Sequence, residues 1–173
     1  MNILPRALLV VMAFAVMSAC KSTGIEQQSS KTLFLQERLG IKKYNAGEYQ
    51  ESFELLSETA TWGLKESQYF LAFMFMKGQH VQQSSVLGMA WLAVANEVKR
   101  DDWQQQYDTF YNAASAPLQT RIDAKKAEYI AKFGLKAQNM TCAEQIQTYS
   151  IKRKVRCSKG PGVTKRYFVE LSE

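Results

Sequence analysis

The chain has 173 residues and a formal net charge of +6, from 22 basic and 16 acidic side chains, with a single histidine. This length allows one compact domain with its own hydrophobic core, and nine glycines and three prolines are too few for a low-complexity protein. The sequence contains no glycine-rich phosphate-binding loop and neither an HExxH nor a GxSxG motif. We therefore expect no enzymatic activity, no catalytic residue, no cofactor and no metal site.

Residues 1–19 are typical of an export signal. One positive charge, Arg6, precedes an uncharged run of 13 residues that ends at Ala19, whereas a membrane-spanning helix needs roughly 20. The sequence Met17-Ser18-Ala19-Cys20 resembles the bacterial lipobox, whose cysteine is lipidated and becomes the mature N-terminus. The resemblance implies a lipid on Cys20. The alternative is an ordinary signal peptide, with Cys20 as a core residue.

The next segment, residues 20–31, is polar and predicts a flexible tether between the membrane and a folded domain. Lys21 follows the cysteine directly, and by resemblance to enterobacterial lipoproteins this favours the outer membrane over the inner membrane. The resemblance thus implies a protein that is anchored to the cell envelope by its lipid and faces the periplasm. That compartment excludes nucleic acid as a partner.

Residues 32–98 contain the same pattern twice, which predicts two helix–turn–helix units. In each unit an aromatic residue stands three positions before a glycine, Tyr44 before Gly47 and Phe75 before Gly78, and an apolar stripe at helical spacing follows. Gly63 and Gly78 are expected to end helices with a left-handed backbone, and Ser84 to cap the fourth. The pattern predicts helices over residues 33–46, 49–61, 65–77 and 85–98.

The second unit resembles the Sel-one-like repeat, a relative of the tetratricopeptide repeat. The resemblance depends on Ser67, Gln68, Tyr69, Leu71, Ala72, Met74, Phe75, Gly78, Val81, Ser84, Gly88, Trp91, Ala93 and Ala95. His80 stands where the family has a second glycine, which implies an unusual backbone angle there. The first unit, from Gly47 to Ala60, is more similar to a plain tetratricopeptide unit. The resemblance implies a mostly α fold, an α-solenoid of antiparallel helix pairs, and a binding scaffold without a defined reaction.

Residues 99–134 predict a third helix pair that caps the array. Asp101 or Asp102 is a candidate N-cap, and Pro117 suits the first turn of the last helix, which Gly134 is expected to end.

Residues 135–173 predict a small basic β-appendage. Its strands are expected at 142–149 and 151–157, with a third at 167–171. If Cys20 is lipidated, Cys142 and Cys157 remain as a pair, and the oxidising periplasm favours a disulfide between them across the open end of the hairpin. The alternative is two free thiols in a reducing compartment.

Two functional surfaces follow from these expectations. The leading one is a groove for a protein or peptide partner of unknown identity, lined by Tyr69, Phe73 and, where it is exposed, Trp62. The second is the basic face of the hairpin, because residues 145–169 contain seven basic residues and no acid. Anionic envelope components are its expected ligands, and the alternative is a solvated edge strand kept charged against aggregation. The basic side chains that share this strand face are Lys152, Lys154 and Arg156.

Overall fold

The computed structural model describes residues 30–147, 150–162 and 164–173. The expected signal peptide, Cys20 and the tether up to residue 29 lie outside the described residues. None of the helices in these ranges combines the length and the apolar character that a membrane-spanning helix needs. The helices are α1 (Ser30–Asn45), α2 (Tyr49–Thr61), α3 (Lys65–Lys77), α4 (Ser85–Ala95), a 3-10 helix (Asn96–Val98), α5 (Asp101–Ala113) and α6 (Ala116–Phe133). The strands are β1 (Met140–Gln147) and β2 (Ser150–Lys159).

The chain is mostly helical, as the apolar periodicity predicts, and the caps explain where several helices begin and end. Gly78 ends α3 with φ +66°, and Gly63 has φ +91° in the turn after α2. The Ser84 Oγ accepts a hydrogen bond of 3.0 Å from the Leu87 amide at the start of α4. His80 has φ +66°, a left-handed backbone angle that is uncommon for a residue other than glycine.

The fourth helix, α4, is the centre of the core. It contains no charged residue, packs against α3, α5 and α6, and is buried from Val86 to Ala95. Gly88 allows α3 to approach closely, because a β-carbon there would lie 2.5 Å from the Met76 Cγ. The Trp91 ring contacts Tyr129 and Phe133 of α6 at centroid distances of 5.0 and 4.7 Å.

The two strands form one antiparallel hairpin, in which Cys142 is directly opposite Cys157. The predicted disulfide is present, and the two α-carbons lie 4.0 Å apart. A disulfide that closes a loop of this length stabilises a fold by about 3 kcal/mol in the chain-entropy model. Both strands are longer than predicted at the end that carries the disulfide, because β1 begins at Met140 and β2 ends at Lys159.

The predicted third strand at 167–171 is wrong: residues 164–170 form no β-structure. The segment instead lies along α6, where the Tyr167 ring is 5.8 Å from the Phe133 ring. The Glu170 carboxylate pairs with Lys125 at 3.1 Å and with Lys132 at 2.9 Å. Ring packing and ion pairs to a helix therefore hold this segment in place of backbone pairing with β2.

A buried ammonium connects α3 to the end of α4. Lys65 is only 4% exposed, and its Nζ donates to Gln68 Oε1 at 3.0 Å, to the Val94 carbonyl at 2.9 Å and to Glu97 Oε2 at 2.7 Å. The same Glu97 oxygen accepts a 2.9 Å hydrogen bond from the Leu135 amide. All three ammonium protons have an acceptor, which is the condition under which a buried charge is tolerated.

The Gln68 amide extends this network to two further helices. Its Nε2 donates to the carbonyl of Ala60 on α2 at 2.9 Å and to the carbonyl of Phe133 on α6 at 3.0 Å. Both carbonyls lie at the C-terminal ends of their helices, and that of Ala60 also accepts a 3.0 Å hydrogen bond from the Gly63 amide. One pair of neighbouring side chains on α3 therefore joins α2, α4 and α6.

Burial of Lys65 gives a pH-dependent prediction. Desolvation lowers the pKa of Lys65 to about 8, although Glu97 opposes the shift. Between this value and the ordinary value of 10.5, the unfolded chain binds more protons than the folded chain, so Lys65 makes the free energy of unfolding rise with pH. The free energy of unfolding of the wild type, minus that of Lys65→Met, should rise by about 2 kcal/mol between pH values of roughly 7.5 and 9.5. Urea denaturation at the two pH values measures this change. A constant difference would contradict the lowered pKa.

Candidate functional site: an aromatic strip and an adjoining cleft

Four aromatic side chains of α3 and α5 contact one another, and we call them the aromatic strip. Tyr69 and Phe73 are one helical turn apart on α3, and Trp103 and Phe110 are two turns apart on α5. The Tyr69 ring stacks on Trp103 at 4.5 Å and 13° and contacts Phe73 at 4.9 Å. Phe73 meets Phe110 edge-on at 6.4 Å. The strip thus joins two helices that are separate in sequence.

The ring contacts continue from the strip to α1 and α2. Phe70 lies 5.7 Å from the Tyr69 ring and 4.9 Å from the ring of Tyr44 at the end of α1. Tyr44 in turn meets Tyr49, the first residue of α2, at 5.5 Å. Aromatic rings therefore contact one another across α1, α3 and α5.

The strip combines exposed and fixed rings. Phe110 is 41% exposed and Tyr69 and Phe73 are half-buried, whereas Trp103 is only 3% exposed. The Trp103 ring is held between Tyr69 and the guanidinium of Arg100, whose Cζ lies 4.3 Å from the ring centre.

Hydrogen bonds fix the two groups that enclose Trp103. Arg100 makes two hydrogen bonds to the Asp102 carboxylate, of 3.1 and 2.6 Å, which lower the pKa of Asp102. The Tyr69 hydroxyl donates to Gln106 Oε1 at 2.8 Å. The strip is therefore an ordered surface with its most exposed ring at Phe110.

The structure places Trp62, the third residue predicted for the groove, elsewhere. Trp62 is 9% exposed and packs with Leu33, Leu64 and Met140 in a second hydrophobic cluster. The Lys159 Nζ lies 5.0 Å from its ring, and burial lowers the pKa of Lys159. Trp62 therefore packs the hairpin against the helices and does not line a groove with Tyr69 and Phe73.

The predicted basic residues of the hairpin are only partly described. Lys152 and Lys154 belong to β2, but their side chains lie outside the described residues. The Arg156 side chain is described, and it is exposed. His80 is exposed in its turn, with its ring 5.6 Å from the Phe53 ring.

A cleft of about 530 Å³ adjoins the strip at Trp103 and was not predicted. It is formed where α1, the start of α3, the segment before α5 and the disulfide end of β2 meet. Its lining consists of Phe34, Glu37, Arg38, Leu64, Lys65, Glu66, Val98, Arg100, Trp103, Val155, Arg156 and Cys157. Within the described ranges, no group of three or more histidine, cysteine, aspartate or glutamate side chains could hold a metal ion.

The first turn of α3, which borders this cleft, is capped from α1. Its N-cap residue, Leu64, has no side-chain acceptor, and the buried Glu37 takes this role. Glu37 Oε1 accepts hydrogen bonds of 3.0 Å from both the amide and the hydroxyl of Ser67, and Ser67 Oγ lies 2.7 Å from Thr59 Oγ1. A carboxylate at a helix N-terminus also interacts favourably with the helix dipole. Glu37 thereby fixes the position of the first turn of α3, and so the position of Tyr69 one turn later.

No protein-family model, curated protein or solved structure gives a significant match to this chain. The function proposed below therefore depends on the chain's own residues and on the repeat and lipobox patterns in its sequence.

Removal of the Glu37 carboxylate should destabilise the fold. Glu37→Ala leaves the buried Ser67 amide without its acceptor, which we expect to cost about 1–3 kcal/mol in the free energy of unfolding. Urea denaturation measures this cost, with Glu54→Ala on the exposed face of α2 as the matched control. Equal stability of the two variants would show that Glu37 does not cap α3.

Proposed function

We propose that this chain is a membrane-anchored lipoprotein of the bacterial cell envelope that acts as a helical-repeat scaffold for a protein or peptide partner. The observation that supports the scaffold is the aromatic strip, whose rings lie on α3 and α5 and are exposed in part. Aromatic residues are enriched at protein interfaces because they bury a large area at a small cost in conformational entropy. The lipobox-like sequence at Cys20 supports the anchor.

In this proposal α1 with α2 and α3 with α4 are two tetratricopeptide-like units, and α5 with α6 is the cap. The turn residues support it, because Gly47 and Gly78 have φ +79° and +66°, and His80 has a positive φ where the Sel-one-like pattern has glycine. The first helices of the second and third pairs, α3 and α5, provide the strip, and stacked helix pairs commonly bind partners on such an extended surface.

The chemistry of the strip indicates the kind of partner. Its exposed rings offer apolar faces, and a cation flanks them, because the Lys77 Nζ lies 5.8 Å from the Phe73 ring. A peptide segment with aromatic or large aliphatic anchors and neighbouring acidic residues is complementary to this surface. A few such anchors provide most of the binding energy in interfaces of this kind.

Truncation of the strip should abolish partner binding. We expect Phe73→Ala and Phe110→Ala to weaken binding by about tenfold or more each, because each removes a ring that contributes to the apolar face. The measurement is photo-crosslinking in intact cells, with a photoreactive amino acid at position 113, exposed on α5 one turn after Phe110, and mass spectrometry of the adduct. Phe168→Ala is the matched control, since Phe168 is 83% exposed and lies outside the strip.

The adduct should be retained in Phe168→Ala and lost in both strip variants, while all three keep the circular dichroism of the wild type. An adduct that persists in Phe73→Ala and Phe110→Ala would refute the strip as the binding surface.

The anchor is tested separately at Cys20. Cys20→Ser should remove the lipid and release the protein from the membrane fraction, which mass spectrometry and fractionation of cell envelopes would detect. Cys142→Ser is the control, because it removes one sulfur atom of the disulfide and leaves the lipobox-like sequence intact. A Cys20→Ser protein that remains with the membranes would contradict lipid anchoring without bearing on the strip.

A further inference from the structure

We propose that the cleft between α1, the start of α3 and β2 binds an amphiphilic anion, a small molecule with an apolar body and an oxyanion head group. The binding site is distinct from the exposed surface of the aromatic strip, and the inference does not depend on the proposed scaffold function.

The size and the walls fit an apolar body. The cleft volume of about 530 Å³ lies within the range of small-molecule sites, which is roughly 300–1,000 Å³. Leu64 and Trp103 are buried at its base, and Phe34, Val98 and Val155 form half-buried walls. Apolar side chains of this kind bind an alkyl or aryl group by removing it from water.

Most of the charged groups along the cleft already have partners. The Lys65 ammonium is paired with Glu97, and the Arg100 guanidinium with Asp102. Glu37 accepts hydrogen bonds from the neutral Ser67, so its negative charge remains. Glu66 lies in the first turn of α3, and the positive end of the helix dipole offsets part of the charge of both carboxylates. The two cations at the base of the cleft, Lys65 and Arg100, are therefore both paired with carboxylates.

Two guanidinium groups remain available. Arg38 on α1 and Arg156 on β2 line the cleft and are exposed, and within the part of the chain that the structure describes neither forms an ion pair. Guanidinium groups bind carboxylate and phosphate oxygens with paired hydrogen bonds. With apolar residues below and guanidinium groups at the edge, the cleft is complementary to a head group at its opening and an apolar body inside it.

The position of Arg156 gives the basic hairpin a specific role. The hairpin face was expected to bind anionic envelope components as a strip of like charges, whereas the cleft assigns Arg156 a defined site together with Arg38. Both carboxylates and phosphate esters of the envelope offer the required head group. Decanoate and decyl phosphate are therefore the two probes, and decanol is the neutral probe with the same chain.

Isothermal titration calorimetry of the protein without its signal peptide tests the proposal. We expect decanoate or decyl phosphate to bind about tenfold or more tightly than decanol, and the tighter of the two identifies the head group. Arg38→Ala and Arg156→Ala should each reduce the affinity about tenfold, since each removes a charge-assisted contact. Lys136→Ala is the matched control, because it removes an exposed positive charge outside the cleft.

A fourth variant tests the cleft without altering its charge. Val98→Trp places a large side chain in the wall and keeps both arginines, so it should abolish binding while the urea midpoint stays near that of the wild type. Binding that survives Val98→Trp would overturn the proposal, and so would equal losses in Lys136→Ala and Arg38→Ala. Decanol that binds as tightly as the anions, inorganic phosphate that binds as tightly as decyl phosphate, or no binding by any probe would also overturn it.

Discussion

A buried cation, the Lys65 ammonium, joins the helices around the core to the segment that leads into the hairpin. The Lys65 ammonium lies inside the protein with three acceptors, and its partner Glu97 also receives the Leu135 amide, where the chain leaves α6 for the hairpin. Loss of Glu97 would leave the Lys65 charge buried and without its carboxylate, which is far costlier than loss of a surface ion pair. Gly134 is part of the same arrangement, because a β-carbon there would lie 2.9 Å from Glu97 Oε1.

Both candidate surfaces follow from the way α3 is held at its first turn. Glu37 on α1 receives the Ser67 amide, and Lys65 binds the end of α4, so the start of α3 is fixed from two directions. One turn later the same helix presents Tyr69 to the aromatic strip. Its first residues form part of the cleft, so a displacement of this turn would alter the strip and the cleft together.

The sequence predicts those parts of the structure whose causes are local. Helices α1 to α4 follow from apolar spacing and from caps such as Ser84, and the disulfide from the cysteine count. The predicted third strand does not form, although its residues alternate as a strand would, with Tyr167 packed and Phe168 exposed. The packed Tyr167 ring contacts helix α6, so the segment lies against a helix and does not pair with β2. The burial of Trp62 could not be predicted, because tertiary packing alone brings it into contact with Leu33 and Met140. The cleft could not be predicted for the same reason, since its walls come from segments as distant in sequence as α1 and β2.

The position of Trp103 has a thermodynamic consequence for the two surfaces. The indole forms part of both, yet its ring is stacked on Tyr69 and covered by Arg100, which is itself held by Asp102. Energetic coupling between two ligands requires an element that each ligand shifts between alternative arrangements. Because the contacts with Tyr69 and Arg100 hold the Trp103 ring in one arrangement, neither ligand can shift it to another. Ligands on its two sides should bind additively, with a coupling free energy near zero.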